Sequence, residues 1–488
     1  MGLRFDWYPI VDHEVVSNKT SIIVELITQK SITKGTKEKI KSTTTQILSA
    51  LYLSYFSLPK GSTLVSLPLS SGHYSNSNYS YRVIKDIFNC LCELKWIKFD
   101  KGSEDKKRVT RIWAVEELAS AFDAVGLLWF PQQPNPKESL VVLRDFKNPE
   151  GETKRERGPK IDLPVPELPE VESYRTTLYQ YNQFLLQHCI SLELDDENLN
   201  QLANEMVQRK KDKKKVWETE EEERIGCLDL SRVQLRRIFS RGELTKGGRY
   251  YGGFWQSIPS SHRPHLRIDG KKTIEMDYSS MALRIIYAQE GHEVSEDVDL
   301  YDIGLPNWGA GKDPRRKSIK TYINAVINDE SGNYRLSKKD LNIIGVSHKE
   351  LHELVLNRHK AIEHLFSSGE GLNAQFIDSQ IAEHVMMALL HEEVVVLPIH
   401  DSFIVRVGFR QWLDEEMNKA FEKITGAKTT LTEAPIKANE HFGLNDEELV
   451  EATSDPEGAI VNFGSEEVWG AFTRDEIMDR YLGSWKCA

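Results

Sequence analysis

The chain has 488 residues, 40% of them hydrophobic and 28% charged, with a formal net charge of −11. This balance is typical of a soluble protein with two or three domains, and no run of roughly 18 apolar residues predicts a membrane span. The N-terminus lacks the apolar stretch of a signal peptide, and the five cysteines show no metal-ligand spacing. We therefore expect a reduced, cytoplasmic protein with no membrane partner. The acidic total does not exclude a nucleic-acid enzyme, because affinity follows local basic patches.

Residues 1–130 predict a small α/β unit. Helical periodicity over 36–56 and 78–99 is followed by a strand–turn–strand pattern. Helices followed by a basic hairpin are typical of a winged-helix domain, whose wing contacts the nucleic-acid backbone, and we predict a winged-helix-like domain here. The predicted wing carries the basic side chains Lys106, Lys107, Arg108 and Arg111. A packing module or a protein-interaction domain is the alternative.

Three further segments are distinguished by composition. Pro, Gly and charged residues dominate 131–172, which predicts a linker or an extended arm. Residues 173–240 predict a helical region, in which the basic block 209–215 and the acidic block after it favour a solvated helix over a phosphate-binding one. The acidic tail, 451–488, is a candidate docking segment for a protein partner.

Residues 392–408 predict a buried β-hairpin, because two runs of apolar β-formers flank a short break. Asp401 stands in that break, and a carboxylate among apolar residues is costly to bury unless it meets a cation. Asp277 has a similar setting, since it follows a short predicted strand over 273–276 and precedes an apolar helix. Two carboxylates brought together repel each other unless cations lie between them. A pair of Mg²⁺ or Mn²⁺ ions, roughly 3.5–4 Å apart as in phosphoryl-transfer enzymes, fits this arrangement.

A basic helix is predicted over 312–328. Side chains four residues apart share one helical face, and here that face carries Arg316, Lys320, Asn324 and Asn328. An arginine fork and a lysine ammonium one turn apart can grip a triphosphate. Taken alone, the segment favours an ordinary basic surface helix.

Together these segments resemble the palm and fingers of the A-family DNA polymerases and the single-subunit RNA polymerases of phage and mitochondria. The family's palm motif Asp-Tyr-Ser-x-x-Glu-Leu-Arg is matched by Asp277, Tyr278, Ser279, Leu283 and Arg284. Its fingers motif Arg-x-x-x-Lys is matched by Arg316 and Lys320. The hairpin has the sequence His-Asp-Ser-Phe at 400–403, which resembles the motif of the RNA polymerases rather than that of the DNA polymerases.

Two more blocks strengthen the resemblance. The motif Thr-x-x-Gly-Arg, which contacts the template–product duplex in the family, is matched by Thr245, Gly248 and Arg249. The segment 376–384 is similar to Phe-Ile-x-Ser-Gln-x-Ala-x-His of the phage RNA polymerases and includes Gln380 and His384. The five blocks keep the family's order over about 240–408, and it is this ordered set that carries the resemblance.

The resemblance implies a role for each matched position. It implies that Asp277 and Asp401 hold two Mg²⁺ or Mn²⁺ ions, and that Lys320 and His400 join them as catalytic residues. The implied nucleotide-binding residues are Arg316, Lys320, Tyr278, Ala282, Asn324 and Asn328. The implied nucleic-acid-binding residues are Thr245, Gly248, Arg249, Arg284, Gln380 and His384.

The fold implied is α+β, with a right-hand polymerase palm and fingers in 241–450 and a thumb-like region in 173–240. Two departures from the family affect the nucleotide site. The fingers motif lacks its Tyr-Gly pair, so Tyr322 is the candidate for part of the stacking platform. Ala282 replaces the Glu that crowds the ribose 2′ position in the DNA polymerases, which predicts that ribonucleotides are accepted.

The leading prediction is a template-directed nucleotidyltransferase that polymerises nucleoside triphosphates into RNA or a primer, with a nucleic-acid template and product as partners. An A-family-like DNA polymerase without proofreading is the nearest alternative, since no exonuclease motif precedes 240. A nucleotidyltransferase that adds single nucleotides, or a degenerate nucleic-acid-binding regulator, also remains open.

Overall fold

A computed structural model of the protein describes residues 2–5, 10–11, 13–29, 33–57, 64–74, 79–101, 109–125, 134–151, 154–158, 160–212, 228–309, 313–330, 332 and 334–433. The fold is mixed α+β, as predicted. One hydrophobic core draws its buried residues from 5–122, and a second, larger core draws them from 140–421. No helix among the described residues is long and apolar enough to cross a membrane.

In its described residues, the N-terminal unit combines four α-helices with a four-stranded sheet. Its elements are β1 (Gly2–Arg4), α1 (Glu14–Ile27), α2 (Lys34–Phe56), β2 (Leu64–Ser66), α3 (Tyr81–Glu93), β3 (Ile97–Asp100), β4 (Arg111–Ala114) and α4 (Glu116–Val125). The strand order is β1-β2-β4-β3, with β1 parallel to β2 and the other pairs antiparallel.

The predicted helix–helix–hairpin order of this unit is present. Trp96 joins the hairpin to the helices, because its buried ring lies 4.5 Å from the Lys19 ammonium and its indole N–H donates to Glu117. Strands β3 and β4 pair antiparallel, from Ile97 with Ala114 to Asp100 with Arg111. The predicted wing residues Lys106, Lys107 and Arg108, like the C-terminal tail, lie outside the described residues.

A second sheet is built from the middle of the chain. The elements of this part of the chain are β5 (Val141–Phe146), α5 (Lys154–Arg157), β6 (Lys160–Leu163), α6 (Pro169–Leu185), β7 (Ile190–Leu192), α7 (Asp196–Asp212), β8 (Arg236–Ser240) and β9 (Glu243–Tyr251), of which β7 joins the third sheet. The strand order is β6-β5-β8-β9, with β5 parallel to β8.

Two segment predictions need correction here. Part of 131–172 forms the strands β5 and β6 rather than a plain linker, because its apolar residues Val141 and Leu143 are buried against β8 and α6. The segment 173–240 is not helical throughout, since it also supplies the strands β7 and β8. The Pro- and charge-rich flanks of these short strands obscured them in the composition.

The third sheet forms the centre of the larger core. Its region comprises β10 (Leu266–Ile268), β11 (Lys271–Tyr278), α8 (Met281–Gln289), α9 (Arg316–Asn328), α10 (Lys338–Ile344), α11 (His348–Arg358), α12 (Gly371–His391), β12 (Leu397–Ile399), β13 (Ser402–Arg406), α13 (Arg410–Thr425) and β14 (Leu431–Glu433). The strand order is β12-β13-β11-β10-β7, and β14 pairs with the end of β11. Helix α12 packs against β9, α13 and α8, which links the second sheet to the third.

Candidate active site

The two predicted carboxylates lie on neighbouring strands. Strand β11 ends beside Asp277, which stands opposite Ser402 in the antiparallel register of β11 and β13. The predicted hairpin β12–β13 turns through His400 and Asp401, and the backbone N–H of Tyr278 donates to the Asp401 carbonyl at 3.0 Å. His400 has a φ of 58°, a left-handed conformation that is uncommon for a non-glycine residue. The tight turn therefore brings Asp401 to the end of the strand that carries Asp277.

The electrostatics of Asp277 show that the pair lacks a full counter-charge. Burial, and next to it the Asp401 carboxylate, raises the pKa of Asp277 to about 7, although Lys320 opposes the shift. The Oδ1 atom of Asp277 is buried and has no hydrogen-bond partner among the described residues. A buried, unpaired carboxylate oxygen beside a second carboxylate is a position that a cation would stabilise.

The donor set fits a hard divalent cation. Asp277 and Asp401 both offer carboxylate oxygens, which Mg²⁺ and Mn²⁺ prefer, and Mg²⁺ commonly uses only one or two carboxylates together with substrate phosphates. Among the described residues, no group of three or more His, Cys, Asp or Glu side chains could hold a metal ion. The pair is thus compatible with metal ions that take further ligands from a phosphate substrate and water.

A third carboxylate nearby is already neutralised. Glu275, two residues before Asp277 on β11, accepts two hydrogen bonds from Arg263, at 2.7 and 2.8 Å, and one from the Ser402 hydroxyl at 2.8 Å. This fork-to-fork geometry is the strong form of an arginine–carboxylate pair. Glu275 therefore serves as a structural partner, in contrast to Asp277.

Gly248 occupies a β-bulge that only glycine fits. Ile238 pairs with Arg249 and Phe239 with Gly247, so Gly248 is the extra residue between them. Its φ is +76°, and an added Cβ would lie 2.9 Å from the Phe239 ring and 3.0 Å from the Ser379 hydroxyl. The glycine of the Thr-x-x-Gly-Arg motif thus allows β9 to approach α12 closely.

The bulge directs Arg249 toward the carboxylates. Its guanidinium forms an ion pair with Asp378, a buried residue of α12 that the sequence analysis did not single out. Burial raises the pKa of Asp378 to about 6, against the effect of Arg249, and the Asp401 charge adds to the rise. Arg249 also interacts electrostatically with Asp401. Four of the five sequence blocks, those of Asp277, Arg249, Asp378 and Asp401, therefore meet at Asp401.

Arg237 is a second residue that sequence reasoning missed. It is 1% exposed, and its guanidinium donates to Glu383 at 2.5 Å, to the Ser379 hydroxyl at 3.0 Å and to the Gly248 carbonyl at 3.0 Å. The ring of Tyr174 lies 4.0 Å from the same group. Arg237 therefore connects α12 to β8 and β9. The feature of the sequence that could have indicated its role is the pair of adjacent arginines, 236 and 237, within an apolar stretch.

The predicted cation helix is α9, and it lies close to the carboxylate pair. Lys320 interacts electrostatically with Asp277 and makes no ion pair among the described residues. Arg316 lies one turn earlier, with its guanidinium 4.8 Å from the buried ring of Tyr301. Asn324 is half-buried, and Asn328 is exposed and donates to the Asn324 carbonyl at 2.7 Å. Of the four residues of this predicted face, Lys320 is therefore the one with an interaction that reaches Asp277.

The suggested role of Tyr322 in stacking is wrong. Its side chain is 1% exposed, and its hydroxyl shares a hydrogen bond of 2.9 Å with Nδ1 of His352. Rings of Tyr334 and His348 pack around it. Because Tyr322 lies two residues from Lys320, it belongs to the buried face of α9 rather than to its cationic face.

Two other predicted contact residues are structural. Tyr278 is 1% exposed, its hydroxyl donates to the Met417 carbonyl at 2.6 Å, and its ring packs against Phe403 and Phe421, so it cannot contact a nucleotide from this position. Arg284 is 3% exposed and donates to several carbonyls of the loop after α8, so it is not available to nucleic acid. The family motif marks these residues, but burial determines what they contact.

The remaining predicted residues occupy varied positions. Burial, and next to it Arg249, lowers the pKa of His400 to about 4, so its imidazole is neutral at physiological pH. Ala282 is half-buried on α8. Thr245 is exposed on β9, Gln380 is half-buried on α12, and His384, also half-buried, interacts with Lys423 of α13.

Comparisons with known proteins add little to this geometry. No protein-family model matches the chain, and no curated protein matches it. Among solved structures, the chain is similar to the POL domain of Pol1 from M. smegmatis, solved in complex with DNA primer-template and dNTP, with 13% identity and a TM-score of 0.30. The match covers 42% of this chain and 47% of that one, so the chain spans about half the length of that structure. A likeness this weak carries no argument about function.

Proposed function

We propose that this protein is a template-directed nucleotidyltransferase that joins nucleoside triphosphates into RNA or a primer. The observation that carries the proposal is the partly buried pair Asp277 and Asp401, beside which lies the Lys320 ammonium. The raised pKa of Asp277 and its buried, unpaired Oδ1 atom call for a cation. Paired carboxylates next to a cationic helix suit phosphoryl transfer, in which both metal ions and phosphates must be held.

Asp277 and Asp401 would hold two divalent ions. Such ions, when bound, activate an attacking hydroxyl and stabilise the leaving pyrophosphate oxygens. Because the pKa of Asp277 is about 7, its carboxyl group must release a proton before it can serve as a ligand, so we expect ion binding to strengthen as the pH rises through neutrality. The rigid strands β11 and β13 keep the two carboxylates in place during the reaction.

Lys320 and Arg316 would bind the triphosphate. Lys320 has no competing ion pair among the described residues, so its ammonium is available to meet the charge that develops on the phosphates in the transition state. Arg316 offers a guanidinium fork, which suits two phosphate oxygens at once. Ala282 leaves the ribose 2′ position uncrowded, which supports the use of ribonucleotides.

Arg249 would contact the product strand beside Asp401, since it lies at the carboxylate pair and its pairing with Asp378 sets the direction of its guanidinium. The neutral His400, whose Nδ1 has no partner among the described residues, would accept or donate a hydrogen bond next to Asp401. In this proposal, the Arg249 guanidinium and the His400 imidazole both face the nucleic acid.

One assay tests the proposal. Purified full-length protein is given labelled NTPs or dNTPs with single- and double-stranded DNA and RNA templates in Mg²⁺ or Mn²⁺, and product length is resolved on gels. We expect template-dependent extension that disappears when Asp277 is replaced by Asn. Addition of single nucleotides without template dependence would favour a non-polymerising transferase, and no incorporation on any template would refute the proposal.

A further inference from the structure

Arg316 is held by two neighbours that its motif does not include. The Nε and Nη2 atoms of Arg316 donate to the two carboxylate oxygens of Asp299, at 2.9 and 3.1 Å. The ring of Tyr301 lies 4.8 Å from the same guanidinium. Both neighbours belong to the loop between α8 and α9. The Asp299 carboxylate binds one edge of the Arg316 guanidinium, and the Tyr301 ring covers its face.

Tyr301 also connects α9 to the carboxylate pair. Its ring lies 5.8 Å from the Lys320 ammonium, its hydroxyl forms a hydrogen bond with Ser280, and it interacts electrostatically with Asp401 and Asp277. The side chain is 2% exposed. Tyr301 therefore stands between the two cations of α9 and the end of β11.

The loop that carries these residues is firmly tied to the fold. Arg284 of α8 donates to four of its backbone carbonyls, those of Val294, Ser295, Glu296 and Val298. The Thr430 hydroxyl donates to the Glu296 carbonyl at 2.6 Å, and the Asp299 carboxylate accepts the Tyr301 N–H at 3.1 Å. We name residues 294–301 the anchoring loop. Helix α8 begins four residues after Asp277. Because Arg284 of α8 holds the anchoring loop, the position of Asp299 is fixed with respect to the carboxylate pair.

We propose that Asp299 is a positioning residue, which holds one edge of the Arg316 guanidinium so that the opposite edge faces an incoming triphosphate. Tyr301 supports both cations of α9 in the same orientation. This inference rests on the proposed function, since it assigns a task to the triphosphate-binding arginine.

The geometry leaves Arg316 able to bind a ligand. A guanidinium carries five N–H groups, and the Asp299 contact uses Nε and one hydrogen of Nη2, so Nη1 and the second Nη2 hydrogen stay available. The side chains of Arg316 and Asp299 are 26% and 19% exposed, so the pair is partly screened from water. An arginine held in one rotamer loses less entropy when it binds a phosphate than a mobile one does.

Binding of inorganic tripolyphosphate and of ATP to the full-length protein, measured by calorimetry without divalent ions, tests the proposal apart from polymerisation. The proteins compared are wild type, Asp299→Asn, Arg316→Ala and the double variant. We expect each single substitution to weaken binding about tenfold, and the double variant to bind no more weakly than Arg316→Ala, because Asp299 acts through Arg316. Glu293→Gln, which removes one exposed charge just before the anchoring loop, is the matched control and should bind like wild type.

The opposite result is well defined. If Asp299 instead competed with the phosphate, Asp299→Asn would bind more tightly, and this outcome overturns the proposal, as does unchanged binding. If Asp299→Asn weakened tripolyphosphate binding equally in the wild-type protein and in the Arg316→Ala variant, the effect would be structural, and this result would also overturn the proposal.

Tyr301 variants provide a second test if Asp299→Asn does not fold. Tyr301→Phe keeps the ring and should bind tripolyphosphate within about twofold of wild type, whereas Tyr301→Leu should bind several-fold more weakly. Equal binding by the two variants would contradict the role of the ring. Failure of the proposed function is distinguishable, because then Arg316→Ala itself would bind tripolyphosphate as well as wild type does.

Discussion

The two hydrophobic cores of this protein bury polar groups of different kinds. In the described part of the N-terminal unit, the fully buried polar side chains are all uncharged, namely Thr20, Thr43, Thr44, Gln46, Ser49, Ser54, Ser57, Ser66 and Thr110. The larger core buries charged side chains, among them Arg144, Asp229, Arg236, Arg237, Arg267, Arg284, Asp313 and Asp378. Burying a charge is costly unless it is paired, so the larger core needs partners for each of them.

The buried charges of the larger core differ in whether a partner offsets the cost of their burial. Most buried charges of the larger core are paired, as Arg237 is with Glu383 and Asp378 with Arg249. Asp277, which is partly buried, differs from these pairs, because the neighbouring Asp401 carries a like charge and the Oδ1 atom of Asp277 has no hydrogen-bond partner among the described residues. An unfavourable buried group that folding alone does not require is a candidate functional group.

The largest expected effect is at the carboxylate pair. Asp277→Asn and Asp401→Asn should each reduce nucleotide incorporation by about 10³-fold or more, because each removes a carboxylate that we propose binds metal. Primer- or template-dependent incorporation at saturating Mg²⁺ measures this. Asp86→Asn, an exposed charge on α3 of the N-terminal unit, is the control and should retain activity. Substantial turnover by both active-site variants would place the metal site elsewhere.

Substitutions on α9 should have the next largest effect. We expect Arg316→Ala to raise the KM for nucleoside triphosphates about 10- to 100-fold, since it removes a phosphate contact. Lys320→Ala should lower kcat as well, because we propose that its ammonium meets charge that develops in the transition state. Steady-state kinetics with one NTP varied distinguishes the two. Wild-type kcat and KM in both variants would show that α9 is an ordinary basic helix.

Sugar choice should depend on Ala282. Ala282→Glu should shift the ratio of kcat/KM for ATP to that for dATP about tenfold toward dATP, because a longer side chain crowds the 2′ position. Both nucleotides are compared on one template. Ala288→Glu near the end of α8 is the control for a helix substitution of the same type. A wild-type preference for dATP of about a hundredfold or more, on the order of 3 kcal/mol, would instead favour a DNA polymerase.

The cost of burying Asp277 should appear as a pH dependence of stability. Its folded-state pKa of about 7 lies above the ordinary value of 3.8, so between these values the native state holds a proton that the unfolded state has released. The free energy of unfolding of the metal-free protein therefore falls as the pH rises through this window, and the penalty persists above it. Asp277→Asn removes this contribution.

Urea denaturation with a chelator at about pH 5 and about pH 8 measures the effect. Relative to wild type, Asp277→Asn should be more stable at both pH values, and by a clearly larger margin at the higher one, because at the lower pH wild type has lost only part of this stability. Added Mg²⁺ should stabilise wild type more than the variant at the higher pH. The same difference at both pH values would contradict the assignment.

The smallest expected effect is in the core of the N-terminal unit, whose buried polar side chains are uncharged. The Thr44 hydroxyl of α2 is fully buried and has no hydrogen-bond partner among the described residues, so Thr44→Val should stabilise the N-terminal unit by about 1 kcal/mol without changing activity. Thr43→Val is the matched control, because the Thr43 hydroxyl donates to the Lys39 carbonyl at 2.8 Å and its loss should not stabilise. Thermal unfolding compares the two, and a rise in stability with both variants would show that the hydroxyl of Thr44 is not the cause.

Local patterns in the sequence determined the elements that carry the site. Runs of apolar β-formers predicted the hairpin around Asp401, and a short strand was predicted over 273–276, within β11. Four-residue spacing predicted the face of α9 with Arg316 and Lys320. These features depend on residues close together in the chain, so the sequence alone is sufficient to predict them. The resemblance added the expectation that the separate blocks meet.

Only the tertiary structure decided what each side chain contacts. Tyr278 and Arg284 belong to the palm motif, yet burial directs the first to the Met417 carbonyl and the second to the anchoring loop. Asp378 and Asp299 were not predicted, because their partners Arg249 and Arg316 lie 129 and 17 residues away and no local pattern encodes such pairs. Whether a charge is buried, and beside which partner, depends on how distant elements pack, and this packing sets the pKa of Asp277 and the orientation of the cations that face it.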